Sequence, residues 1–225
     1  MPHAHPIRET RPTKRTTETA APLVPARPTL NLLREAASGC RACHLWQCGT
    51  QTVFGEGPAK ARLMLVGEQP GDMEDRSGHP FVGPAGRLLD DALGAVGIDR
   101  EKAYITNVVK HFKWIDRGGR RIHEKPGARE IMACRPWLEA EIAVVRPEAI
   151  VCLGATAAQA LLGRDFRVTV SHGRLIPSPL AYFVMATVHP SSLLRAPDEE
   201  QRRAGIRQFI ADLKIIAHAL ERGPA

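Results

Sequence analysis

Residues 62–71 read RLMLVGEQPG: a short apolar run, then a glycine, a carboxylate, an amide and a Pro-Gly turn. The run has the length of a strand, and its nearly continuous apolar character suits a strand buried on both faces. Three further runs share it, Ala103–Val109 (AYITNVV), Glu148–Gly154 (EAIVCLG) and Tyr182–Val188 (YFVMATV). Each is rich in β-branched or aromatic residues, which favours strand over buried helix. Between them the spacing turns helical. Leu88, Leu89, Ala92, Leu93 and Val96 recur at helix period after Pro84. Leu138, Ile142 and Val145 do so after Pro136, a proline suited to a first helical position. Residues 155–162 make a short apolar helix, and a last amphipathic helix carries Phe209, Ile210, Leu213, Ile216, Ala217 and Leu220 on one face. Strands alternating with helices predict an α/β fold, a three-layer αβα sandwich around a central four-stranded parallel sheet.

In such sheets ligands bind beyond the carboxyl ends of the strands. Those positions hold Glu68-Gln69-Pro70-Gly71, the segment after Asn107, Gly154-Ala155-Thr156, and His189-Pro190-Ser191-Ser192. A carboxylate, an amide and an imidazole therefore share one rim. Each has an ordinary reading: a turn for GEQPG, a satisfied backbone group beside Asn107, core packing for Phe81 and a structural role for His189. Each also has a chemical one. The Asn107 amide offers one donor and one acceptor, as the edge of a nucleobase requires. Phe81 sits in the glycine-flanked loop GHPFVG, which suits stacking on a base. The hydroxyls after His189, and the helix opened by Gly83-Pro84, suit a phosphate. No GxGxxG follows a strand and no GK[ST] occurs, which disfavours a nucleotide cofactor.

The chain has 225 residues, 44% of them hydrophobic, and a formal net charge of +7. That excludes wholesale disorder and predicts one domain with a tail. No apolar run approaches the ~18 residues of a spanning helix, and no apolar leader is present, so a cytoplasmic chain with reduced thiols is expected. The positive excess is concentrated. Residues 1–30 hold five basic side chains against two acidic, and residues 110–125 hold six against two. Residues 1–28, rich in Pro, Thr, Ala and Arg without any period, read as a disordered basic arm, with the folded domain at 29–225. A helix is expected over Leu30–Ser38, ended by Gly39.

The connection Lys110–Pro126 is long for an α/β domain, which points to function. Its Arg117-Gly118-Gly119-Arg120-Arg121-Ile122-His123 reads as a phosphate-contact loop, or in His123 as a reactive group. Cys40-Arg41-Ala42-Cys43 is a CxxC, with Cys134 and Cys152 further on and Cys48 left over. Four thiolates brought together suit structural zinc or an iron–sulfur cluster, while buried thiols remain the plainer alternative.

Taken together, GEQPG, HPFVGPAGRLLD, YITNVVK, CRPWLEAEIAVVRPEAIVCLG and VHPSS occur in the order that resembles the iron–sulfur uracil-DNA glycosylases of family 4. The resemblance runs from about Gly39 to Ala219. It implies a [4Fe–4S] cluster on Cys40, Cys43, Cys134 and Cys152. It also implies that Phe81 stacks on an extruded uracil, Asn107 bonds its polar edge, and His189 donates to the carbonyl that gains charge. Glu68 falls on the family's acidic position, with Gln69 and Asp72 beside the pocket and Glu74 at a further acidic position. Arg120-Arg121-Ile122-His123 resembles the inserted loop of the UdgX branch, with Gly119 in place of a leading lysine. By that resemblance Arg121, Ser191 and Gly83 face DNA, and His123 attacks the sugar with Glu68 orienting it.

The implied substrate is uracil-containing DNA, preferably single-stranded because the base must leave its stack. The implied outcome is excision followed by a persistent bond between His123 and C1′, and nothing in the sequence demands more than a monomer. Two other readings compete: a turnover glycosylase in which His123 only contacts DNA, and a zinc-bound module that binds DNA without chemistry.

Overall fold

The computed structural model describes residues 18–223. Four strands, β1 (Leu63–Gly67), β2 (Ala103–Asn107), β5 (Ala149–Leu153) and β7 (Phe183–Thr187), pair in parallel in the order β2-β1-β5-β7. Their ends fall within a residue or two of the apolar runs, because a strand covered on both faces must be apolar along its whole length. The sheet has five strands rather than four. A two-residue strand, β6 (Leu175–Ile176), joins the β7 edge antiparallel, and two residues are too few to carry a pattern. The remaining strands, β3 (Trp114–Arg117) and β4 (Arg120–His123), form a separate hairpin.

Alternate residues along each strand feed two cores. Met64, Val66, Tyr104, Ile150, Cys152 and Val184 pack beneath α1 (Leu30–Ser38), α5 (Ala128–Val145) and α6 (Ala155–Leu162). Leu63, Leu65, Ile105, Val151 and Met185 pack beneath α4 (Pro84–Ala95), α8 (Pro190–Leu194) and α9 (Glu199–Arg222). The layers are therefore αβα, as expected. Short helices α2 (Leu45–Cys48), α3 (Asp72–Ser77) and α7 (Val168–Ser171), with 3-10 turns at Ala21–Leu23 and Arg100–Lys102, complete the described elements.

One boundary differs from expectation. Pro136 lies inside α5 rather than at its first turn. The helix begins eight residues earlier, where the Glu130 carboxylate reaches back to the Gly127 N–H. Within the expected basic arm, Ala20 is fully buried and donates its N–H to the Ala133 carbonyl at 2.8 Å, so the chain touches the domain there. Residues 1–17 lie outside the described residues. No described helix is long and apolar enough to cross a membrane.

The chain leaves β1 for β2 on one side, then crosses back to place β5 on the other. The carboxyl ends of β1 and β5 therefore flank a topological switch point, where an open α/β sheet leaves a crevice.

Candidate active site

A cleft of about 640 Å³ opens at that switch point, lined by Glu68, Gln69, Phe81, Asn107, His123, Thr156 and His189 among others. Glu68 continues from β1, Asn107 ends β2, Thr156 opens α6 after β5, and His189 follows β7. Four sequence-distant strand ends thus deliver the four polar groups to one space.

Glu68 sits between two donors. Oε1 lies 3.2 Å from His123 Nε2, and Oε2 accepts from the Thr156 hydroxyl. Burial alone would raise its carboxyl, but the His123 and Thr156 hydrogen bonds and the two nearby imidazoles outweigh burial and hold it below the usual carboxylate range. Thr156 was not singled out from the sequence. Its position directly after a strand at the switch point was the available signal.

His189 is half-buried in the wall of the cleft. Burial lowers its pKa to about 4, so the ring is neutral at pH 7. Nδ1 lies 2.8 Å from the Ser191 hydroxyl and accepts the Ser191 N–H at 3.2 Å. A backbone N–H can only donate, so Nδ1 holds a lone pair and the ring proton sits on Nε2. Ser191, expected at a phosphate, thereby fixes the tautomer that makes His189 a donor.

Asn107 is buried, and its Oδ1 has no hydrogen-bond partner among the described residues. An orphaned acceptor of this kind costs on the order of 1–3 kcal/mol, which a bound donor would recover. Phe81 stands beside it with φ at 56°, an uncommon backbone state for a bulky side chain, and its ring centroid lies 5.8 Å from that of His189. Gly67 lets both approach: a Cβ there would stand 2.6 Å from Phe81 Cζ and collide with Asn107 Oδ1.

The segment from 114 to 123 is a hairpin rather than a loop. Gly118 and Gly119, with φ of 62° and 79°, supply the two left-handed residues of its turn. Gln69 clamps its base. The Gln69 amide donates to the Lys113 and Glu124 carbonyls at 3.1 and 3.0 Å and accepts from the Lys113 N–H at 3.3 Å. The Gln69 side chain thus holds the hairpin that carries His123.

Arg121, expected at a phosphate, is already engaged. Its guanidinium pairs with Asp72 and, at 2.6 Å, with fully buried Asp75, and it lies over the Phe112 and Trp114 rings. Asp72 lines the cleft but spends its carboxylate on Arg121 and Arg76. Gly83, also expected at DNA, donates its N–H to Glu74 at 2.8 Å. Glu74 bonds the Gly71 N–H as well, so it pins the Phe81 loop to the β1 exit.

The cysteines are all free. Cys40, Cys134 and Cys152 lie in one core cluster with Cys43 packed against it. Among the described residues no three metal-ligating side chains converge closely enough to hold an ion, so Cys40, Cys43, Cys134 and Cys152 do not form a closed ligand shell. The donor chemistry nonetheless fits a thiolate-bound group. Cys40 Sγ accepts the Trp137 indole N–H and Cys134 Sγ the Lys110 N–H, each at 3.3 Å. The indole nitrogen of Trp46, which lies between Cys43 and Cys48 in sequence, is buried without a partner among the described residues. Burial pushes the Cys43 thiol up to about 11 and those of Cys134 and Cys152 to about 12, so their ligand form needs a cation beside it. Cys48 lies outside this set, half-buried, its carbonyl accepting the Trp114 indole N–H at 2.8 Å.

Comparison with known proteins places the whole chain. A model of the Uracil DNA glycosylase superfamily matches residues 54–214. A type-4 uracil-DNA glycosylase of Thermotoga maritima is 39% identical over 175 residues, covering 77% of this chain and 88% of that protein. One of Sulfurisphaera tokodaii is 35% identical over 178 residues, covering 76% and 78%. A type-5 uracil-DNA glycosylase of Pyrobaculum aerophilum is 30% identical over 183 residues, covering 74% and 77%. With that match over most of its length, this chain belongs to the uracil DNA glycosylase superfamily.

Proposed function

We propose that this uracil-DNA glycosylase ends its reaction covalently joined to its own product through His123. The carrying observation is the 3.2 Å contact between His123 Nε2 and Glu68, at the mouth of a cleft whose floor suits a uracil. The extruded base lies against Phe81 with its N3–H toward Asn107 Oδ1. As the C1′–N1 bond breaks, its electron pair leaves with the uracil. His189 Nε2–H, held neutral and oriented before the reaction, donates to the carbonyl where that charge collects.

The sugar then carries positive charge at C1′. In a turnover enzyme water would take it. Here the Nε2 proton of His123 faces Glu68, leaving the lone pair on the other ring nitrogen, which bonds C1′. Glu68, kept ionised by its surroundings, accepts the displaced proton and releases it to solvent, and the uracil anion takes one up. The product is a neutral N-glycosyl imidazole, whose poor leaving group predicts a single turnover.

Cys40, Cys43, Cys134 and Cys152 would hold the [4Fe–4S] cluster that the family resemblance implies. It would supply structural cross-linking, since no electrons move in base release. Purified protein should contain about four irons and four sulfides per chain; tightly bound zinc instead would replace that assignment.

The deciding experiment is a denaturing gel after mixing the protein with single-stranded DNA carrying one uracil, beside a thymine control. A uracil-dependent band that survives detergent and heat is expected. Alkali-labile abasic sites without that band would make the enzyme an ordinary turnover glycosylase.

A further inference from the structure

The hairpin has a second face that the chemistry above leaves unused. Strand side chains alternate sides. Trp114 and Arg121 turn inward, whereas Ile115, Arg117, Arg120 and Ile122 turn out. Register sets Ile115 opposite Ile122 and Arg117 opposite Arg120. The two isoleucines are 38% and 39% exposed, an apolar pair where an exposed ribbon is ordinarily polar. Arg121 is neutralised by Asp72 and Asp75, but Arg117 and Arg120 meet no carboxylate among the described residues. Asp116, the nearest acid in sequence, instead caps the turn by accepting the Gly119 N–H at 2.8 Å.

The hairpin stands at the rim of the cleft: His123 lines the cleft from the inner face, and the outer face lies on the other side of the same two strands. Arg120 stands three positions before His123, roughly 10 Å along a strand. A DNA strand whose nucleotide is buried in the cleft must leave over the rim where the hairpin stands. Two uncompensated guanidiniums suit a polyanion, and an apolar pair suits the exposed face of an unpaired base, which a duplex keeps stacked.

We infer that the outer face of the hairpin is a track for the single strand next to the uracil. Arg117 and Arg120 hold neighbouring phosphates, and Ile115 and Ile122 form a ledge for the adjacent unpaired base. The inference rests on the glycosylase reading and adds to it a strand preference with a physical origin.

The test uses the full chain with oligonucleotides carrying a tetrahydrofuran abasic analogue, which cannot react. Binding is followed by fluorescence anisotropy over a salt series, on single strands and on duplexes. Each phosphate contact to a single strand contributes about 0.7 to the slope of log K against log salt, so Arg117→Ser with Arg120→Ser should lower the slope by about 1.4. Ile115→Ser with Ile122→Ser should weaken single-strand binding severalfold, leaving the slope and duplex binding unaltered. Circular dichroism checks that each variant is folded.

An unchanged slope in the arginine variant overturns the track. So does an equal loss on single strands and duplexes in the isoleucine variant. Unchanged DNA binding together with a dimer-to-monomer shift would assign the face to a second copy of the chain. Failure of the glycosylase reading is seen separately, as wild-type protein that releases no uracil.

Discussion

At His189, two donors from one serine occupy Nδ1, while burial keeps the ring neutral down to about pH 4. Replacing it with Gln should lower the rate of uracil release by about 10²–10³, the range for losing one preorganised donor to a developing anion. Single-turnover kinetics would measure it. The same burial has a thermodynamic side. The folded pKa lies below the usual 6.5, so between about pH 6.5 and 4 the unfolded chain binds the proton more readily. Stability should be flat above that window and fall as the pH drops through it, by at most roughly 3 kcal/mol for this group. His111, also lowered to about 4 by burial, adds to the slope. Denaturant melts at several pH values should show a shallower fall for His189→Gln. For His123→Ala the expectation is qualitative: release of uracil continues as water reaches C1′, and the detergent-resistant band disappears. Loss of release as well would mean that His123 is needed for bond cleavage.

Among the elements, the hairpin depends on side chains far from it in sequence. Gln69→Ala removes three hydrogen bonds to its base, worth about 1 kcal/mol each, and should reduce adduct yield more than uracil release. Gel bands and free uracil from one reaction would separate the two. Arg121→Ala strands the buried Asp75 carboxylate and should cost on the order of 3 kcal/mol in thermal or denaturant unfolding. These dependencies mark the limit of sequence reading. The parallel strands were legible because burial on both faces forces apolar runs, and the strand-end rule then located Glu68, Asn107 and His189. The hairpin was not read as strands, since its outward isoleucines and crowded arginines hide the alternation, although Gly118-Gly119 signalled a turn. Arg121 read as a phosphate ligand because its carboxylate partners lie 49 and 46 residues away. Pro136 misplaced the start of α5 because a proline favours the first turn, whereas the Gly127–Glu130 cap decides it. The cysteines were visible as a set, but their spacing alone left zinc and iron–sulfur both open.

At the scale of the whole molecule, one buried charge pair ties the thiol region to the base pocket. Lys110 Nζ reaches Glu141 at 2.5 Å, the Thr106 hydroxyl at 2.7 Å and the Asn107 carbonyl at 2.7 Å. Tyr104 and the Gly55 N–H complete the shell of Glu141. Lys110→Met should destabilise the protein by about 3–5 kcal/mol by leaving Glu141 unpaired, and Glu141→Leu added to it should recover much of that loss in denaturant melts. The hairpin stands in contrast to such a core. It shares no strand ladder with the main sheet, and a Cβ at Gly118 or Gly119 would meet nothing within 4 Å. An addition built this way can be gained, lengthened or lost without redrawing the scaffold beneath it. The proposed trapping step therefore sits on a part of the chain separable from the sheet whose strand ends carry Glu68, Asn107 and His189.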